Sequence, residues 1–497
     1  MGMLFTGRFL TLLDETVDKV LVDDDGLIVA TGDLAGLLVK NAEIETVELP
    51  GYTMPGFRSE HDHMLFTLVA GSLSLRGVDN EGEAATLIRT ALGRRPEGWV
   101  VITDWNDSVL NTAQMSDLVN ILAADRMLLV LNTSWHSAFG SRNLIKHVSP
   151  TLRAMNLATG SCIGQLLTED HVLQTVSLMQ TNADALVSSV MDRQQFLFSK
   201  GVTSMFDKLV HGEAIHDAME RASRAGWLKY HIFAAVQPWM MRNGLMPGPR
   251  GRSFEVKWMK YLADGSFGSR TAFMARDYGM MYSDGTEGVF QLPPPSEIYD
   301  DLTEWLDKGG EGLCVHAIGP GAVHNVIGLF EWLYKRIGDK SVMMSLEHGT
   351  TWVPGLVERF AKLQHAGYNI RLCSQMSFTE DASQYADRLP QIVCDAINPY
   401  ADFERCGVLY SGGTDGPICN DDHLGGTSQA VNRPGSQAID AQTALRRVTE
   451  GPMEAGMPFN MVCLNRDIIE KPMEMALAQP LQTWINGKKV WEKSDNE

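Results

Sequence analysis

The sequence predicts an α/β fold: a (β/α)8 barrel carrying a small β domain built from both chain ends and an insertion after the first barrel strand. Three observations predict it. Eight short apolar runs recur through the middle of the chain, helix-period stretches separate the later ones, and strand-rich ends flank this long middle.

At the N-terminal end, KVLVDDDGLIVATGD places two alternating runs around Asp24-Asp25-Gly26, a hairpin-type turn in which glycine tolerates positive φ. The first barrel run is GYTMPGF (51–57). The next, VTSMFD (202–207), is too far away for a single crossover. Residues 75–200, with strand-like WVVITDW (99–105) and MLLVLNT (127–133), are therefore expected to form an inserted subdomain placed to cover the barrel mouth. The remaining runs are YHIFAAV (230–236), VKWMKYLADG (256–265), GLCVHAIG (312–319), VMMSLEHG (342–349), YNIRLCSQ (368–375) and VLYSGGTDG (408–416). Between them, 322–337 and 353–367 carry apolar positions three and four apart, as crossover helices do. MVCLNRD (461–467) reads as a strand, and Asn486-Gly487 is a strong hairpin signal. The expected division is a β domain of 1–50 plus 455–497 and a barrel of 51–454.

Composition narrows the function classes. Of 497 residues, 44% are hydrophobic and 21% charged, which is ordinary for a globular chain. The formal net charge of -19 repels phosphate backbones, so nucleic acid is a poor partner and a neutral or cationic small molecule a better one. No apolar run reaches the roughly 18 residues a membrane span needs. The first twenty residues turn acidic and lack a signal-peptide cleavage pattern. Seven cysteines, an odd number with no CxxC, argue against a disulfide framework and fit a reducing, cytoplasmic setting. Exposed edges of the β domain leave a homodimer open.

The chemistry-bearing residues gather at proposed strand ends. His61 and His63 follow the first run, and alternate residues on an extended chain point to one side. His316, His348 and Asp415 each close a later run, at the barrel face where active sites are built. Four such histidines and an aspartate offer N and O ligands suited to zinc or a related divalent ion, whereas any one alone reads as a satisfied core histidine. Lys260 lies inside an apolar run, costly unless neutral or paired; the alternatives are a solvated edge lysine or one carboxylated by carbon dioxide, with Lys257 as competitor. In the insertion, Trp105 and Asp107 are weighed as pocket residues against the core, and Glu169 reads as an exposed first-turn residue. Arg270 could hold a substrate carboxylate or pack its own loop.

The strings LPGYTMPGFRSEHDHM, KYLADGSFGSRTA, VHAIGPGAV, LEHGTTWVPGLVERFAKL and GGTDGPI together resemble the amidohydrolase superfamily, in its amidohydrolase-3 or YtcJ-like branch, from about residue 1 to 492. The resemblance implies a metal-dependent barrel hydrolase with a β-sandwich made from both ends. It implies His61, His63, Lys260, His316, His348 and Asp415 as ligands of one or two divalent ions, with Lys260 carboxylated in the two-ion form. It further implies hydrolysis of a C–N bond of amide, cyclic amide or formamide type, with Asp415 as proton shuttle and, in a one-ion version, His316 or His348 polarising the carbonyl. Trp135-His136-Ser137 resembles the branch's histidine-containing segment, which would turn His136 to the substrate. A deaminase or decarboxylase could use the same cage, and a catalytically silent binding protein is the reading from another class.

Overall fold

The computed structural model describes residues 2–494 apart from 14, 41–42, 65–72, 156, 158–159 and 180–182. Eight parallel strands form a nearly closed barrel in the spatial order Phe57–Asp62, Val202–Val210, Ile232–Val236, Phe254–Leu262, Gly312–Ala317, Met343–His348, Ile370–Ser374 and Tyr410–Gly412, referred to below as barrel strands 1 to 8. Strands 5 and 6 are buried at every position, which is why their sequences read as continuous rather than alternating apolar runs. Crossover helices lie where the 3.6-residue period places them. The helix Pro320–Ile337 begins with proline in its first turn and stops at Gly338, whose φ of 74° caps its C-terminus. Leu356–His365 links strands 6 and 7.

Strands 8 and 1 are joined at their carboxyl ends by local bonds. The Asp415 N–H donates to the His61 carbonyl and the His63 N–H to the Gly416 carbonyl, both at 2.9 Å. A Cβ at Gly413 would sit 2.5 Å from the His61 backbone nitrogen, so only glycine permits this approach. Beside the seam, the buried Arg193 guanidinium bridges Asp62 at 2.7 Å and Asp421.

The first strand differs from expectation. Pattern alone places residues 51–57 in the barrel, but Glu45–Pro55 belongs to the terminal sheet, pairing with Met3–Leu10 and Met461–Leu464. The barrel strand starts at Phe57, after Gly56. One unbroken apolar stretch thus serves two sheets, and only its long-range partners separate them. The terminal sheet is seven-stranded and mixed, taking in both predicted hairpins.

The insertion is shorter than 75–200. Its six-stranded sheet runs from Leu73–Ser74 to Leu166–Thr168 and encloses its own core of Ile88, Ile102, Trp105, Leu128 and Val130. The helix Ala183–Ser199 instead packs on barrel strand 2 and on the next crossover helix, Glu213–Arg224. Helical periodicity shows an apolar face but not which sheet that face meets. All seven cysteines are free, and no helix among the described residues is long and apolar enough to cross a membrane.

Candidate metal centre

Strand ends bring the predicted donors together. His61, His63 and Asp415 place one ligand atom each within 4.8 Å of one another, all buried. His61 Nε2 lies 3.4 Å and His63 Nε2 3.1 Å from the same oxygen, Asp415 Oδ1. The ring of His348 is 4.5 Å from that of His61 and 4.4 Å from that of His316, so the imidazoles form a continuous arc across strands 1, 6 and 5. Lys260, on strand 4, lines the same small chamber of about 40 Å³. Through Ser134, His136, Asp415 and Ile418 this chamber meets an outer one of about 500 Å³, bordered by the insertion at Asp104 and Asn106 and by Tyr385 after strand 7.

Each imidazole is fixed from behind. His61 Nδ1 bonds Glu347 Oε2 at 2.6 Å, His316 Nε2 bonds the Gly265 carbonyl at 3.0 Å, and His348 Nδ1 bonds Gln375 Oε1 at 2.7 Å. A ring nitrogen that donates outward leaves its partner nitrogen with a lone pair for the centre. His348 and Asp415 hold φ values of 69° and 59°, a left-handed conformation that costs a non-glycine residue about 1–3 kcal/mol and clusters at functional sites.

For His61, His316 and His348, though not for His63, electrostatics agree with that role. Burial pushes the pKa of His61 well below its ordinary value, aided by Lys260; burial and neighbouring imidazoles do the same for His316 and His348. Neutral imidazole is the form that binds metal. Burial also lowers His63, but Asp207 and Asp415 outweigh it and hold this ring up at about 9. Asp415 would be raised by burial, yet His63 and His348 keep it below the usual carboxylate value. Burial lowers the Lys260 amine against the pull of Glu347, and the amine makes no hydrogen bond or ion pair with a described residue. The competitor Lys257 faces outward to Glu311 at 2.7 Å. A buried set of imidazoles, one carboxylate and an unpaired lysine fits a divalent cation, which would compensate that carboxylate and use the inward lone pairs.

Four expectations are corrected. Trp105 lines neither chamber; it is 2% exposed in the insertion core and its Nε1 donates to the Leu110 carbonyl at 2.6 Å. Arg270 does not reach the chambers either. It faces Asp107, Asp284 and Asp387 at 3.7–3.9 Å, tying loops together. Asp107 is consumed by the same loop contacts, including Arg388 at 3.3 Å. Glu169, expected to be exposed, is 2% exposed; its Oε2 bonds His136 Nδ1 at 2.5 Å, and both residues line the inner chamber. Sequence reasoning also missed Glu347 and Gln375. Glu347 stands directly before His348 inside an apolar run, where a carboxylate is costly unless bonded, and that was the available signal.

A family model described as "Amidohydrolase family" matches residues 50–490. The chain belongs to the amidohydrolase family. It is 26% identical to "Putative amidohydrolase YtcJ" of Bacillus subtilis (strain 168), covering 99% of this chain and 100% of that protein. It is 23% identical to "Protein LONG AFTER FAR-RED 3" of Arabidopsis thaliana over 68% of this chain, spanning 62% of that longer protein. Solved structures of uncharacterized metal-dependent hydrolases from Pyrococcus horikoshii OT3 and Pyrococcus furiosus share the fold. Their TM-scores are 0.73 and 0.71, each at 20% identity over 94% of this chain and 98% and 100% of theirs.

Proposed function

We propose that this amidohydrolase is a metal-dependent hydrolase that cleaves a C–N bond of a small molecule, of amide, cyclic amide or formamide type. The observation that carries the reading is the convergence of His61, His63 and Asp415 within 4.8 Å at the carboxyl ends of the barrel strands. His61, His63, His316, His348, Asp415 and Lys260 would hold one or two divalent ions, zinc by the N/O donor set. Lys260, kept toward the neutral amine by burial, is the group that would take up carbon dioxide as a carbamate and so bridge a second ion. When bound, the ion supplies a water of lowered pKa and a Lewis-acid contact for the substrate carbonyl.

The chain's own residues do the rest. Asp415 accepts the proton of the attacking water and passes it to the nitrogen that leaves with the C–N electron pair. His136, held by Glu169, turns its free edge to the chamber and orients the substrate, while the outer chamber houses the bulk of the molecule. The acidic outer surface admits neutral or cationic substrates, and we place the protein in the cytoplasm.

Metal analysis and a zinc-replete screen over N-acyl amino acids, formamides, cyclic amides and aminated heterocycles test this. Stoichiometric zinc, loss of turnover on chelation and its return on add-back are expected. Asp415→Asn should cut turnover by about 10²–10⁴-fold with metal retained. A metal-free chain inert to the whole panel would favour a silent binding protein, and turnover of aminated heterocycles alone would favour a deaminase.

A further inference from the structure

Below the chamber, barrel strands 2, 6 and 1 carry a second polar arrangement. Lys208 Nζ lies 3.2 Å from Glu347 Oε1, and Glu347 Oε2 lies 2.6 Å from His61 Nδ1. The side chains of Lys208, Glu347 and His61 are 4%, 0% and 1% exposed, so water does not substitute for these contacts. The Lys208 ammonium also sits 4.7 Å over the ring of Trp258, which confines it further. The barrel therefore holds two buried lysines of different kind. Lys260 lines the chamber without an ion pair, whereas Lys208 is committed to a carboxylate beneath it.

An imidazole can give its Nε2 lone pair to a cation only while its proton resides on Nδ1. A carboxylate on Nδ1 enforces that tautomer and the ring's direction, provided the carboxylate is itself held charged and aimed. Nothing else among the described residues bonds His61 Nδ1.

We propose that Glu347 and Lys208 are positioning residues for the metal centre: Glu347 holds the proton of His61 on Nδ1 so that Nε2 faces His63 and Asp415, and Lys208 anchors Glu347 from barrel strand 2. The inference rests on the metal-site reading above. A rival arrangement is present, since ligand atoms of His61, Glu347 and Cys373 also lie within 4.8 Å of one another. A cation seated there would have to break the His61–Glu347 bond and face the Lys208 ammonium, so positioning is the arrangement these charges favour.

The test uses the full chain. Zinc affinity is measured by competition with a chromophoric chelator, thermal melting is followed in parallel, and the side-chain tautomer of His61 is read by ¹⁵N NMR in metal-free protein. Glu347→Gln should weaken zinc binding by about 10- to 100-fold. Lys208→Met should weaken it less, and Lys208→Arg should restore it, a rescue that a loss of packing alone would not show. Should Glu347→Gln fail to fold, Glu347→Asp, one methylene shorter, should still weaken zinc and loosen the tautomer. Cys373→Ala should leave zinc stoichiometry unchanged. Zinc affinity within twofold of wild type in the Glu347 variants, or a metal-free wild type with the His61 proton on Nε2, overturns the proposal. So does loss of one zinc per chain in Cys373→Ala, which would establish the rival seat. A wild type that takes up no zinc sinks the metal site itself, and that arm is read before any variant is made.

Discussion

The barrel rim and the insertion border the same chambers but are held together by different physics. At the rim the groups that matter are polar, buried and mutually bonded: three imidazoles each anchored by one nitrogen, a carboxylate at positive φ, and a guanidinium sealing the seam between strands 1 and 8. The insertion rests on an ordinary apolar core and lends the inner chamber Ser134, Trp135, His136, Glu169 and Leu173. Stability and site geometry are therefore coupled at the rim and separable in the insertion. A polar group buried at the rim is expensive when its partner is removed, whereas a core residue of the insertion can be weakened without moving a ligand atom.

Three variants put that contrast to the test. The largest effect is expected at Arg193, 2% exposed between Asp62 and Asp421. Arg193→Met strands two buried carboxylates and should cost about 3–5 kcal/mol by chemical denaturation, with weaker zinc uptake because Asp62 adjoins both His61 and His63. If stability falls while zinc affinity holds, the coupling claimed for the rim is wrong. Trp105→Phe in the insertion leaves the buried Leu110 carbonyl without its donor and should cost about 1–3 kcal/mol. Zinc stoichiometry and affinity should stay at wild-type values; a change in either would show that the two regions are not separable. The smallest effect belongs to Arg270→Ala. Its side chain is 38% exposed and its carboxylate partners are 3.7–3.9 Å away in screened surroundings, so melting should shift by less than about 1 kcal/mol. A marked rise in KM with an unchanged melt would instead return Arg270 to the substrate.

The contrast also explains which residues could be read in advance. His316, His348 and Asp415 were legible because each ends an apolar β-run, and a parallel barrel sends all such ends to one face. His61 and His63 were legible from alternation. Trp105, Arg270 and Glu169 were not. A tryptophan after a strand points to core or pocket depending on a neighbouring helix, and an arginine in a loop takes whichever carboxylates the other loops bring. Glu169 looks like a helix-start residue by local rule, yet His136, 33 positions earlier, draws it into the interior. Glu347 and Lys208 escaped notice because their pairing crosses three strands.

Local pattern was enough to establish the barrel, the β-strands at both ends and the set of side chains delivered to the rim, because periodicity and strand polarity are short-range properties of the chain. Folding in three dimensions decided where one apolar stretch passes from the terminal sheet to the barrel, which insertion residues reach the chamber, and what stands behind each imidazole. Those outcomes depend on contacts between residues far apart in the chain, and no local spacing encodes them.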